Sequence, residues 1–93
     1  MFLINAFSVQ MVKDFPATVT FTEVEELPKE GLESAIGHKD LADVLGVAQN
    51  RTNIELKKGD TAYLAQLQGG RLPEGATVLP EGFTLYFYKV EVQ

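Results

Sequence analysis

Residues 83–92 read Phe83-Thr84-Leu85-Tyr86-Phe87-Tyr88-Lys89-Val90-Glu91-Val92. Aromatic and β-branched side chains fit a pleated, packed surface, so the run predicts a strand. Side chains alternate along a strand, which puts Phe83, Leu85 and Phe87 on one face and Tyr86, Tyr88, Val90 and Val92 on the other. Both faces are apolar for much of the length, and the sheet that holds this strand needs cover on both sides. Two short helices in a small chain cover one face well and the other poorly. The uncovered apolar surface is then expected to be buried by a second copy of the chain, giving a homodimer. Coverage of both faces within one chain is the alternative.

Working back from this strand, residues 69–75 (Gly69-Gly70-Arg71-Leu72-Pro73-Glu74-Gly75) are too rich in Gly and Pro for regular structure. Residues 52–57 and 61–68 are strand-like runs, and Lys58-Gly59-Asp60 between them has the length and composition of a hairpin turn. In residues 39–45, Leu41, Val44 and Leu45 sit at i, i+3 and i+4, and Gly46 follows as a helix stop, which predicts a helix. Residues 26–36 open with acidic residues and Pro28, continue through Leu32, Ala35 and Ile36, and stop at Gly37. This predicts a second short helix, weakened by Gly31. Residues 17–25 alternate strictly and read as a half-buried strand near an edge, residues 10–16 as a connection, and residues 2–7 as a short strand covered on both faces. These are five strands and two short helices in one α+β domain spanning residues 1–93.

Composition bounds what such a domain can do. The chain has 93 residues, 45% of them apolar and 23% charged, which is enough for one folded domain with a thin core. A net charge of −5 argues against a protein that coats duplex DNA, so any anionic ligand needs a local site. The absence of cysteine excludes disulfides, thiolate metal clusters and thiol nucleophiles, and a single histidine excludes multi-histidine metal centres within one chain. No metal or other cofactor is expected. The apolar start, residues 1–7, is interrupted by Asn5 and far shorter than the roughly 20 residues of a membrane span, so a soluble, cytoplasmic protein is expected.

The polar residues with chemical potential collect at the ends of elements, where a rigid scaffold holds binding groups. His38, after Gly37, opens a helix whose free N–H groups and dipole attract anions, and imidazole is suited to proton transfer near neutral pH. Its alternative role is a helix cap. Arg71 and Glu74 lie three residues apart in the glycine-rich loop. Arginine offers planar donors that match a phosphate, and Glu74 can stabilise a charged histidine; a surface ion pair between the two is the alternative. Both arginines of the chain, Arg51 and Arg71, fall in such segments. Asn5 interrupts an apolar strand, so its amide either satisfies neighbouring backbone or faces a ligand, and Ser8 follows it closely. Neither a Walker loop, a dinucleotide fingerprint, a nucleophile elbow nor a zinc motif is present.

Taken in order, Leu3-Ile4-Asn5-Ala6-Phe7-Ser8, Ser34-Ala35-Ile36-Gly37-His38, Asn50-Arg51 and Gly70-Arg71-Leu72-Pro73-Glu74-Gly75 resemble the viral ring nuclease family over nearly the whole chain. Its members are small proteins of archaeal viruses, phages and bacterial mobile elements, several of them anti-CRISPR proteins. The resemblance implies a homodimer with a mixed sheet flanked by helices. It also implies destruction of cyclic tetra-adenylate, the second messenger of type III CRISPR complexes, bound across the dimer. By the same resemblance His38 and Glu74 are catalytic, Arg71 is the loop arginine at the phosphate, and Asn5, Ser8, Gly37, Arg51 and Gln66 are substrate-binding positions. Two positions depart from the family pattern: Gln10 stands where relatives often carry Asn, and Asp40 where they often carry Ser or Thr.

The chemistry is consistent with a chain that lacks a metal motif. RNA carries its own nucleophile, a 2′-hydroxyl that attacks the adjacent phosphorus and leaves a 2′,3′-cyclic phosphate. The protein has to position the ring, stabilise charge and protonate the departing 5′-oxygen. Two cuts by a two-fold dimer yield linear di-adenylate. The expected function is a metal-independent phosphodiesterase of cyclic tetra-adenylate. Its alternative is a non-enzymatic anti-CRISPR or nucleotide-binding protein that docks on an effector subunit.

Overall fold

In chain order the elements are β1 (Phe2–Ile4), a 3-10 turn (Val9–Met11), β2 (Val19–Val24), β3 (Glu33–Ser34), α1 (Lys39–Leu45), β4 (Thr61–Gln68) and β5 (Thr84–Val92). They come from a computed structural model that describes residues 1–12 and 18–93. All five strands form one sheet in the order β2-β5-β4-β1-β3. β5 lies between β2 and β4 and is antiparallel to both, in register from Val19↔Val92 and from Thr61↔Glu91 to Gln68↔Thr84. β1 is parallel to β4 and to β3, with Phe2 opposite both Ala62 and Glu33. The mixed five-stranded sheet expected from the sequence is therefore present. Among the described residues no helix is long and apolar enough to cross a membrane.

Alternation along the strands sends side chains into two clusters on opposite faces. One gathers Ile4, Ala62, Leu64, Val90 and Val92 and is closed by Val12, Ile54 and Leu56. The other gathers Leu3, Ala65, Leu67, Leu85 and Phe87 and is closed by Ile36, by Leu72 and by Leu41 and Ala42 of α1. β5 feeds both clusters, which is why neither of its faces is polar. Val90 and Val92 are fully covered within the chain, whereas Leu85, Tyr86, Phe87 and Tyr88 are half-buried.

Helix α1 has the bounds that its apolar spacing predicts, and Gly46 ends it at φ +74°, donating its N–H to the carbonyl of Asp43. The second helix, expected over residues 26–36, is not there, and α1 is the one α-helix among the described residues. The main-chain N–H groups of Glu33 and Ala35 bond instead to the carbonyls of Met1 and Leu3, drawing this segment to the sheet edge as β3. Ala35 and Ile36 then enter opposite clusters, a period of two rather than 3.6.

The hairpin expected between residues 52–57 and 61–68 is also absent. β4 has the expected bounds, but Leu56 makes a single parallel bridge, to Val12, and residues 52–55 form no strand. Ile54 and Leu56 alternate because they plug one face of the sheet, not because they extend it. β1 stops at Ile4, three residues short of the expected strand, and releases Asn5 from the ladder. The edge position expected for residues 17–25 holds for β2; the start of that segment and much of the connection over residues 10–16 lie outside the described residues.

Candidate functional site

Parallel strands end together, so the carboxyl ends of β3, β1 and β4 lie along one edge of the sheet. In sheets of this kind ligands collect in the crevice beyond those ends, where the chain leaves the ladder. Asn5 directly follows β1, Gly37 and His38 lie between β3 and α1, Gln66 is near the end of β4, and Arg71 is in the loop beyond it.

Two clefts meet at this edge and share a wall formed by Asn5 and His38. The first, of about 520 Å³, is also lined by Gly37, Arg51, Thr52 and Asn53. The second, of about 570 Å³, is lined by Gln66, Gly70, Arg71 and Leu72. Each cleft is therefore lined by one arginine, with His38 and Asn5 common to both. Among the described residues neither arginine is paired with a carboxylate, so the Arg71–Glu74 ion pair left open by the sequence does not form. Two guanidinium groups without a carboxylate partner give this edge of an acidic chain local positive charge.

His38 is the N-cap of α1. Its backbone is extended (φ −94°, ψ 117°), and its Nδ1 accepts the N–H of Leu41 at 3.3 Å. An accepting Nδ1 assigns the proton of the neutral ring to Nε2. The residue is exposed, and capping consumes Nδ1 while Nε2 has no hydrogen-bond partner among the described residues. The same cap occupies one of the first N–H groups of a helix only seven residues long. Local positive charge at the clefts therefore comes from the two arginines rather than from the helix end that the sequence singles out.

Arg51 is held by a polar zipper between residues 34–37 and 48–51. The hydroxyl of Ser34 donates to the carbonyl of Ala48, the N–H of Asn50 to Ile36 and the Asn50 side-chain amide to Ser34. Gln49 Nε2 and Arg51 Nε both donate to the carbonyl of Gly37 at 3.0 Å. Position 37 has little room for a side chain, because a Cβ there would lie 3.1 Å from Cγ of Arg51. The residue before the histidine and the arginine beside it are thus one mechanical unit.

Two expected site residues lie elsewhere. Ser8 lines an adjoining hollow with Gln10, Asn53 and Glu55, and its hydroxyl and carbonyl accept the N–H groups of Gln10 and Met11, closing the 3-10 turn. Glu74 lines neither cleft; it lies in a turn closed by the Ala76 N–H on the Pro73 carbonyl. Thr52 and Asn53 are the polar residues of the first cleft that the sequence reading missed, and their one signal is that they follow Arg51 in the chain. Among the described residues no group of three or more His, Asp or Glu side chains is placed to hold a metal ion.

A family model described as STIV B116-like matches residues 1–89. B116 of Sulfolobus turreted icosahedral virus is similar to this chain, with a TM-score of 0.77 and 28% sequence identity over 97% of each chain. No curated protein matches it. With nearly its whole length matched and the architecture shared, the chain belongs to the STIV B116-like family of viral proteins.

Proposed function

We propose that the chain is a metal-independent phosphodiesterase that opens cyclic tetra-adenylate and so silences type III CRISPR signalling, as its resemblance to the viral ring nucleases implies. The observation that carries this reading is the shared wall of Asn5 and His38 between two clefts that each hold an unpaired arginine. A cyclic oligonucleotide presents phosphates on either side of any scissile linkage, and this arrangement offers one cation to each side of one histidine.

In this reading a 2′-hydroxyl held in line attacks the adjacent phosphorus and gives up its proton to solvent water. The P–O5′ bond breaks, and His38 delivers a proton from Nε2 to the departing 5′-oxygen. Delivery from a charged ring means that Nδ1 also carries a proton, so the second proton of the imidazolium and the cap of α1 compete for Nδ1. Arg71 and Arg51 neutralise the phosphates, Glu74 stabilises the imidazolium, and Asn5 and Gln66 contact base or sugar edges. A homodimer brings two such histidines to a ring with repeating linkages, and two cuts give linear di-adenylate with 2′,3′-cyclic phosphate ends.

Incubation of the purified chain with labelled cyclic tetra-adenylate in EDTA, followed by chromatography, tests this directly. The expected product is linear di-adenylate with a 2′,3′-cyclic phosphate. Recovery of intact ring at enzyme excess rejects the reading and leaves a binding or docking protein. Gly37→Ala separates binding from folding: pushing Arg51 off its carbonyl is expected to weaken ring binding about tenfold. The midpoint of thermal unfolding should shift by no more than a few degrees. Calorimetric titration and a melting curve read the two effects.

A further inference from the structure

Asp40 is the acidic residue placed most awkwardly for an anion site, two positions beyond His38 at the start of α1. Its carboxylate is already engaged. Oδ1 accepts the main-chain N–H of Gly75 at 3.2 Å, a contact between residues 35 positions apart in the chain. Its neighbour Lys39 has its pKa raised, first by the hydrogen bond to Asp43, then by the charge of Asp43, and further by the charge of Asp40, so the carboxylate also has a cation nearby.

The loop between β4 and β5 is long, and two attachments fix its first half. Leu72, 5% exposed, is buried in the cluster beneath α1. Gly75 is tied to Asp40, and among the described residues this is the one hydrogen bond from residues 70–79 to another part of the chain. Each attachment immediately follows a charged residue of the loop: Arg71 precedes Leu72, and Glu74 precedes Gly75. A buried side chain settles where the arginine starts, and a carboxylate settles where the glutamate starts.

We propose that Asp40 is a positioning residue whose carboxylate clamps the loop at Gly75 and thereby sets Glu74 relative to His38 on the same end of α1. Its catalytic consequence rests on the phosphodiesterase reading above; the clamp itself does not. The feature that matters is an acceptor atom at the right reach, not the negative charge. Asparagine keeps that acceptor, and alanine removes it.

Asp40→Ala and Asp40→Asn in the full chain, compared with the parent, form the test. In Asp40→Ala the Gly75 amide should exchange with solvent about tenfold faster, while the amide of Ala65 in β4, the internal reference for folding, is unchanged. In Asp40→Asn both amides should keep their parent rates. With cyclic tetra-adenylate, Asp40→Ala should lose about 10- to 100-fold in kcat with KM within about threefold, and Asp40→Asn should recover most of the rate. The proposal is overturned by parental Gly75 exchange in Asp40→Ala, or by an Asp40→Asn variant as deprotected at Gly75 as the alanine one. If the parent protein leaves the ring uncut, the phosphodiesterase reading falls, and the exchange comparison alone decides on the clamp.

Discussion

His38→Asn is expected to reduce single-turnover cleavage of cyclic tetra-adenylate by about 10²–10⁴, the usual contribution of a positioned proton donor. Folding and ring binding should be nearly untouched. Asparagine is chosen because His38 does two jobs at once. Its Nδ1 caps α1 through the Leu41 N–H, and Nε2, without a partner among the described residues, is the nitrogen left for a ligand. Alanine removes both functions, and loss of the cap alone costs about 0.5–2 kcal/mol, a noticeable fraction of the stability of so small a domain. Asparagine is among the best N-caps, so its Oδ1 can take over the Leu41 N–H while offering no titratable proton. The pair of variants therefore separates the roles. Both should be equally slow, and only His38→Ala should also melt earlier. Near-parental cleavage by His38→Asn removes the histidine from the chemistry and assigns it to the helix alone.

How much of this was legible in the sequence follows from where the partners of each residue lie. α1 and β4 could be read to the residue, and β5 to within one residue, because their signals are local: a spacing of three and four ended by a glycine, and strand-forming runs bounded by glycine-rich turns. β3 was misread as helix because two residues become a strand only when β1 offers the carbonyls of Met1 and Leu3, and no local pattern carries that information. Residues 52–57 alternate like a strand, yet they serve the core as plugs, with Ile54 and Leu56 against the sheet.

The site divides in the same way. Asn5, Gly37, His38, Arg51 and Arg71 were identifiable as polar or glycine positions at the ends of elements, Gln66 only through the family resemblance, and parallel pairing of β1, β3 and β4 brings those strand ends to one edge. Ser8 has the chemistry of a ligand contact, but its hydroxyl is used in its own turn. Asp40 looked out of place because its partner, the Gly75 amide, is invisible until the loop is folded.

Gly69→Ala is expected to be the most damaging single-methyl change in the chain, destabilising it by about 2–4 kcal/mol and removing ring cleavage along with the folded population. Two effects add at this position. The backbone has φ +119°, a region that side chains rarely tolerate, and a Cβ would lie 2.7 Å from the carbonyl oxygen of Gly82 and 2.9 Å from Cα of Phe83. Those contacts are backbone, so no rotamer change relieves them. The only response is to part the chain where β4 leaves the sheet from the chain where β5 enters it, at the root of the loop that carries Arg71 and Glu74. Gly70→Ala supplies the internal control. Its φ of +113° is nearly the same, but no atom lies within 4 Å of a Cβ there. It should show the conformational cost alone, about 1–3 kcal/mol. The difference between the two denaturation midpoints measures the steric contact, and equal midpoints would mean that the loop root yields without loss. Gly70 also lines the Arg71 cleft, so Gly70→Ala, if still folded, should weaken ring binding more than its modest loss of stability explains.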